Sequence, residues 1–487
     1  MTGTSHSQPL WSASEVLTAT GGRAVSAAGN PGWHATGVSI DSRTCQPGDL
    51  FVALSGPNFD GHNFVDRALE SGAAAAIVTH RPDGLPASAD LVLVDNTYTA
   101  LCDLGRFARN RTGARIAAVT GSVGKTGTKE GLAHALSAFG ATHATAGNLN
   151  NQWGVPLSLA RMPQDSLYGV FELGMNHAGE LTPLSKLVRP DLAIITTIAA
   201  VHLEFFDSVA AIADAKAEIF AGISANGTAV LNRDNPYFAT LTAAAWARGI
   251  EQIIGFGEHP EAQARLDRYL PTPGGCEVIA EISGRALAYS LSMSGRHAAI
   301  NSLAVLAAVD AFGGDIAVAA AALATLQPSK GRGQRHFLSG PEGPFALIDD
   351  SYNASPASMR AAIEVLASAT PEHNGRRIAV LGDMLELGHD SPRLHAGLSA
   401  PLVDNRIDLV FTAGSAMAHL HDALPPAMRG GHAATSADLL TAVLSRTGAG
   451  DVILVNGSLG SRMAVIVDAL MQFGSNGDGA RRAAIAG

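Results

Sequence analysis

The chain has 487 residues, 47% of them hydrophobic and 16% charged, with a formal net charge of −10. That length exceeds one ordinary core and predicts about three domains. The hydrophobic content excludes a disordered chain, and an acidic balance without a long basic run argues against a nucleic-acid partner. Cys45, Cys102 and Cys276 are too few and too scattered for a disulfide framework or a cysteine metal site, and they fit a reducing cytoplasm. Residues 1–10 lack the basic and apolar runs of a signal peptide, and no stretch reaches the ~20 apolar residues of a membrane span.

In chain order, residues 1 to about 96 predict a small α/β unit. Ser12-Ala-Ser-Glu15 has the form of a capping box opening a helix. Segments 50–54, 74–78 and 91–94 read as strands, with turns at Gly56-Pro57 and Asp60-Gly61. Residues 97 to about 330 alternate strands (115–119, 168–173, 192–198, 227–231) with helices (129–139, 210–220, 297–311), and the alanine-rich 316–326 reads as a buried helix. That alternation predicts a mostly parallel sheet with helices on both faces, whose functional groups collect beyond the carboxyl ends of its strands. Residues 331–487 repeat the pattern as a smaller Rossmann-like α/β domain, with strands at 345–348, 378–381, 409–412 and 452–455 and helices at 358–366, 434–445 and 463–471. The Gly/Ala/Arg-rich 474–487 reads as a frayed end, and Gln327-Pro-Ser-Lys-Gly-Arg-Gly333 as a hinge.

The densest chemistry lies in Ala118-Val-Thr-Gly-Ser-Val-Gly-Lys-Thr-Gly-Thr-Lys-Glu130. Strand, glycine-rich turn, Gly-Lys-Thr and helix together make a phosphate-binding loop. Gly121 and Gly124 let the backbone around Ser122 turn its N–H groups toward an anion, and the helix N-terminus adds partial positive charge. Lys125 is placed for β/γ-phosphates and the Thr126 hydroxyl for Mg²⁺. The loop is shorter than the usual form, because Val119 stands five positions before Gly124. Glu172 ends an apolar strand, where it either ligates Mg²⁺ or caps a turn. His202 follows the 192–198 strand at the same face, which points to a metal or phosphate role. Lys216 on its spacing alone reads as a solvated lysine paired with Asp214 or Glu218. Asn148-Leu-Asn-Asn151 either forms a turn or reads a polar substrate. Asp349-Asp350 at a strand end reads as a ribose or metal contact, or as an acidic turn capping the next helix.

Taken together, these segments resemble the Mur ligase family, ATP-dependent amide-forming enzymes of bacterial peptidoglycan synthesis, over nearly the whole chain. The resemblance rests on Asp41-Ser-Arg43, Pro47-Gly-Asp-Leu-Phe-Val-Ala-Leu54 and Asp60-Gly-His62 in the first block. In the second it rests on Thr120–Thr126, Gly147-Asn-Leu-Asn-Asn151, Glu172-Leu-Gly-Met-Asn-His177 and Ala215-Lys-Ala-Glu218. In the third it rests on the Asp349 segment and Leu381-Gly-Asp-Met-Leu-Glu-Leu-Gly388. Three of these strings point to the branch that adds a dipeptide, and the Asp-Asn-Pro-Arg segment of the diaminopimelate-adding branch is missing. The implied substrates are small molecules: ATP, UDP-N-acetylmuramoyl-tripeptide and D-alanyl-D-alanine. The implied protein is a cytoplasmic monomer whose domains bind the UDP-sugar-peptide (1–96), bind ATP (97–330) and close over the nucleotide and dipeptide (331–487).

The resemblance also implies roles. Lys125 binds the β/γ-phosphates. Thr126 and Glu172 hold one Mg²⁺, and His202 holds a second with Lys216, carbamylated to act as a carboxylate, which reverses the reading from spacing. Asn301 meets adenine, Arg332 and Asp350 approach the nucleotide with Asp350 on the ribose, and Ser42, Arg43, Asn150 and Asn151 meet the UDP-sugar-peptide. Tyr352 and Asn353 also fall among the substrate contacts. Four positions depart from the family pattern: Gly127 for Thr, Ala298 for Asn, Ser355 for Asn and Asn456 for Lys. The last two bear on fine specificity.

Overall fold

The computed structural model describes residues 9–25, 32–201, 203–224 and 226–485, with side chains described as far as Ser475. Among the described residues, three sheets of five or more strands are strung along the chain. In the first, β1 (Arg23–Val25), β2 (Gly37–Ser39), β3 (Asp49–Val52), β4 (Ala75–Val78) and β5 (Leu91–Leu93) lie in the order β1-β5-β4-β3-β2, antiparallel only at β1–β5. The Ser12 capping box forms as the sequence predicts and opens the helix Ala13–Thr20, with Ser12 N–H donating to Glu15 Oε2 at 2.8 Å. This unit is seated on the next one by Leu157 and Ala160, which share an apolar cluster with Trp11 and Val38. The Trp11 indole N–H donates to Ala160 O at 2.8 Å across the same seam.

The central sheet contains β6 (Arg115–Thr120), β7 (Thr142–Ala144), β8 (Tyr168–Glu172), β9 (Leu192–Ile195), β10 (Thr228–Asn232), β11 (Gln252–Gly257), β12 (Ala264–Thr272), β13 (Gly275–Ile282) and β14 (Arg285–Leu291). Its order is β7-β8-β6-β9-β10-β11-β12-β13-β14, parallel as far as β12 and antiparallel thereafter. Alternate residues of β6 enter opposite cores, Ala117 and Val119 on one face and Ile116 and Ala118 on the other, so helices cover both faces. The antiparallel meander β12–β14 goes beyond what the sequence predicts. Its strands alternate buried and exposed residues and lack the continuous apolar run of a central parallel strand.

The third sheet contains β15 (Gln334–Gly340), β16 (Gly343–Asp350), β17 (Arg377–Gly382), β18 (Leu409–Ala413), β19 (Arg429–Ala433) and β20 (Val452–Asn456). Its order is β15-β16-β20-β17-β18-β19, antiparallel only at β15–β16. The expected frayed end is instead helical, since the last helix runs Ala464–Ile485. Gly474 is the reason it can continue: a Cβ there would stand 2.7 Å from Leu338 Cβ, so a bare backbone lets the helix lie against β15.

In the first unit, Asp60 ties a turn to the end of β4. Its Oδ1 accepts from His62 N–H at 3.0 Å, from the His62 ring Nδ1 at 2.6 Å and from Ser55 Oγ at 2.8 Å. His62 Nε2 in turn accepts from Thr79 N–H at 2.9 Å, which leaves the ring proton on Nδ1. These bonds, the His62 backbone N–H first, hold the Asp60 carboxyl down to about 2. A carboxyl held below its unfolded value stabilises the fold above that value and loses the contribution as it protonates. The wild type therefore loses stability as pH falls from about 4 toward 2. Asp60→Asn is expected to lower the Tm by a few degrees at pH 7 and to flatten that acid limb, as read by calorimetry across the pH range.

Candidate active site

Parallel register builds the site. Val119 lies opposite Glu172, and Thr120 opposite Ile195, so the ends of β8, β6 and β9 stand side by side where the strand order reverses. The loop after β6 then curls through Gly121 (φ 147) and Gly124 (φ 84), and a helix begins at once, Lys125–Ser137, four residues earlier than the apolar pattern predicts. Both glycines are dictated by close approach: a Cβ on Gly121 would stand 1.9 Å from Thr196 Oγ1, and one on Gly124 2.7 Å from Asn301 Nδ2. The loop is moored to the segment after β9. Thr196 Oγ1 donates to Val123 O at 2.5 Å, and Ser122 N–H donates to Thr197 O at 2.8 Å. Ser122 Oγ both donates to Ala199 O (3.0 Å) and accepts from Ala199 N–H (2.9 Å), so this hydroxyl fixes the loop.

Lys125 folds back over its loop, with Nζ donating to Gly121 O at 2.8 Å and approaching Ser122 O at 3.4 Å. Burial pushes its ammonium below the ordinary lysine value; Glu172 opposes that shift and Arg332 adds to it. Glu172 is 1% exposed, and its Oε1 accepts from Asn150 Nδ2 at 2.7 Å. Its Oε2 is buried with no partner among the described residues. A bare carboxylate oxygen in the cleft that the buried Thr126 also lines suits a hard divalent cation such as Mg²⁺.

Lys216, on the helix Val209–Ala217, is 1% exposed and has no hydrogen-bond or ion-pair partner among the described residues. The solvated pair is thereby overturned: Asp214 is exposed, and Glu218 instead accepts from Gly179 N–H at 2.6 Å and Thr182 N–H at 3.0 Å. Burial, with the nearby Lys125 charge adding, holds Lys216 well below the usual lysine range. His202 lies outside the described residues.

A cleft of about 810 Å³ separates this wall from the third sheet, with Lys125, Thr126, Glu172, Asn150 and Asn301 on one side and Arg332, Asp350, Tyr352 and Asn353 on the other. The two adjacent acids have different fates. Asp349 is absorbed into structure, accepting from Ser351 Oγ at 2.6 Å and Gly331 N–H at 3.1 Å. Asp350 faces the cleft, and its Oδ2 accepts from Asn456 Nδ2 at 2.9 Å. Burial raises its carboxyl to about 8 against the opposing charge of Arg332, whose guanidinium lies 4.3 Å from the centre of the Tyr352 ring.

Ser42, Arg43 and Asn151 fall outside the cleft lining. Asn151 Oδ1 accepts from Gly154 N–H at 2.9 Å and Trp153 N–H at 3.1 Å, the turn-forming alternative. Ser42 is buried, and Arg43 is exposed and paired with Asp41 at 2.7 Å. Among the departures, Ser355 caps the helix Pro356–Ser368, and nothing stands within 4 Å of where a Gly127 Cβ would be. Sequence reasoning passed over Asn232, whose Nδ2 donates to Thr196 O at 3.1 Å. It also gave no individual role to Leu385, Glu386 and Leu387, which line the cleft.

An acid whose folded value is raised destabilises the fold as it ionises, so Asp350 costs stability progressively from about pH 4 to about pH 8. Asp350→Asn is expected to raise the Tm by a few degrees at pH 8 and to leave it near the wild-type value at pH 4, measured by calorimetry.

Comparison with known proteins gives one consistent result. The family described as "Mur ligase family, catalytic domain" matches residues 34–100, "Mur ligase middle domain" matches 119–309 and "Mur ligase, glutamate ligase domain" matches 331–459. A UDP-N-acetylmuramoyl-tripeptide–D-alanyl-D-alanine ligase of Rickettsia prowazekii is 34% identical, covering 88% of this chain and 94% of that protein. The protein of the same name in Escherichia coli is 36% identical, covering 90% and 94%. The crystal structure of MurF from Acinetobacter baumannii superposes with a TM-score of 0.83 at 31% identity, covering 96% of this chain and 99% of that one. MurF ligase from Thermotoga maritima in complex with ADP gives 0.76 at 27% identity, covering 90% and 98%. With matches that run from the first sheet through the third at this identity, the chain belongs to the Mur ligase family.

Proposed function

We propose that this protein joins D-alanyl-D-alanine to UDP-N-acetylmuramoyl-tripeptide at the cost of ATP, in peptidoglycan precursor synthesis. The names of its full-length relatives support the substrates. The observation that carries the chemistry is the cleft in which a phosphate loop and the unpartnered Glu172 Oε2 face Arg332 and Asp350. In this reading residues 1–96 hold the UDP-sugar-peptide, with Ser42, Arg43, Asn150 and Asn151 as contacts. Residues 97–330 hold ATP, and 331–487 close over it with Arg332, Asp350, Tyr352 and Asn353. The reaction belongs in the cytoplasm, where Cys45, Cys102 and Cys276 stay reduced.

A carboxylate does not acylate an amine directly, because oxide would have to leave. The tripeptide carboxylate therefore attacks the γ-phosphorus of ATP, forming an acyl phosphate and releasing ADP. The dipeptide amine then attacks the acyl carbon, phosphate leaves, and a proton is lost from nitrogen. Lys125 swings from the Gly121 carbonyl to the transferring phosphoryl group and offsets its charge. Thr126 and Glu172 would hold Mg²⁺, which would supply charge neutralisation between the two anions. His202 and a carbamylated Lys216 would hold a second ion; burial holds the Lys216 amine well below the usual lysine range, which favours the neutral form that adds carbon dioxide. Asn301 and Asp350 orient the nucleoside, and the wall carrying Arg332 excludes water from the acyl phosphate.

The test measures phosphate release with ATP, Mg²⁺ and UDP-N-acetylmuramoyl-tripeptide, with and without D-alanyl-D-alanine, and weighs the product. Phosphate and a pentapeptide product are expected together and only with the dipeptide. Release indifferent to the acceptor would instead indicate a nucleotide switch, and release driven by another amino acid a sister ligase. Lys125→Ala should lower turnover by at least about 100-fold.

A further inference from the structure

Lys129 lies one helical turn beyond Lys125 but does not share its destination. It is 2% exposed and absent from the cleft wall, although its neighbours Thr126, Gly127, Thr128 and Gly131 line it. Its Nζ points the other way, donating to Thr145 O at 2.9 Å, with Glu130 Oε1 at 3.5 Å. A buried ammonium is expensive to desolvate, and an apolar side chain of similar length would pack there at no such cost. The charge is therefore retained for what it holds.

Thr145 is the first residue beyond the β7–β8 ladder. Its N–H donates to Val170 O at 3.0 Å and its hydroxyl accepts from Glu172 N–H at 3.2 Å. The chain from Thr145 leads directly to Asn150, whose backbone carbonyl accepts from Gly174 N–H at 2.8 Å and whose amide holds Glu172 Oε1 at 2.7 Å. Glu172 is thus gripped at its backbone by Thr145, whose carbonyl Lys129 holds, and at one carboxylate oxygen by Asn150, five residues along the chain from Thr145. The oxygen left bare is Oε2.

We infer that Lys129 is a positioning residue: through Thr145 and Asn150 it fixes the Glu172 carboxylate so that Oε2 is the oxygen presented to the divalent cation. It does not touch phosphate itself. The inference rests on the proposed reading of Glu172 as a metal ligand.

Two variants of the full-length protein test it. Lys129→Met keeps the length and removes the donor. Thr145→Val keeps the carbonyl and removes the acceptor for the Glu172 amide. Binding of Mn²⁺ in the presence of ADP is followed by electron paramagnetic resonance, and ligase turnover is titrated with Mg²⁺. Lys129→Met is expected to weaken Mn²⁺ binding and to raise the half-maximal Mg²⁺ concentration, each about ten-fold, with the KM for ATP at saturating Mg²⁺ within about two-fold of wild type. Thr145→Val should shift both metal readouts in the same direction. A folded Lys129→Met with unchanged metal binding would make the residue a packing staple and overturn the inference. A raised KM for ATP with unchanged metal binding would overturn it in favour of a direct phosphate contact. If Lys129→Met does not fold, Thr145→Val decides: an unchanged Mn²⁺ affinity rejects the chain of contacts. Failure of the wild type to release phosphate in a dipeptide-dependent way would strike the proposed function and leave the Mn²⁺ comparison standing.

Discussion

Burying a carboxylate costs several kcal/mol unless its oxygens find donors or a cation, and Glu172 is buried with one oxygen on Asn150 and the other, among the described residues, on nothing. Its position follows from backbone geometry alone. Parallel pairing of β8 with β6 sets Glu172 opposite Val119, two residues short of Gly121, so the carboxylate and the phosphate loop cannot be separated without slipping the ladder. A slip of one residue would turn every side chain of β8 to the other face and empty one of the two cores. The hydrophobic effect that fixes the register therefore also fixes the distance between the acid and the anion-binding loop.

The third sheet answers this arrangement with a second acid placed under a different constraint. Asp350 ends β16 beside β20, opposite Asn456, and among the described residues its side-chain donor is that neutral amide. A lysine there, as the family resemblance leads one to expect, would favour the ionised carboxylate. Asn456 leaves burial dominant and the carboxyl high. Among the described residues Asn456 Oδ1 is itself buried without a partner, and so is Glu172 Oε2 on the opposite wall of the cleft that Asp350 lines. Unsatisfied buried groups concentrated at one place mark where the fold gives up stability for ligand chemistry.

Much of this is legible in the sequence, for a physical reason. A glycine-rich turn that runs from an apolar strand into a Gly-Lys-Thr helix start suits an anion far better than it suits packing, and Glu172 and Asp350 announce themselves by ending apolar runs. Lys216 is not legible, because a lysine on a helix near Asp214 and Glu218 has the spacing of a surface pair, and only the tertiary fold turns it inward while Gly179 and Thr182 take Glu218. Asn151 shows an amide in a loop taking donors from the adjacent backbone, the turn-forming alternative that its sequence left open. The strands β12–β15 escaped notice because an antiparallel or edge strand carries alternating polarity, which resembles a loop when read one residue at a time. Lys129 stands inside the most recognisable motif of the chain and still gives no sign in the sequence that it turns away from the cleft.

Charge balance brings these pieces together. Lys125 and Arg332 face the cleft, and Lys216 lies close enough to Lys125 for their charges to repel. Against them stand Glu172, half-occupied by Asn150, and Asp350, whose burial disfavours its charge at neutral pH. Burial first, and then the like charge of Arg332 at Lys125 and of Lys125 at Lys216, pushes both lysines toward their neutral forms. A polyanion entering the cleft reverses that strain, since each negative oxygen restores the proton affinity that burial removed. On the proposed reading, a divalent cation at the bare Glu172 oxygen would keep the acids from repelling the same polyanion. The site is thus least stable by itself and most stable when the polyanion and its metal arrive together.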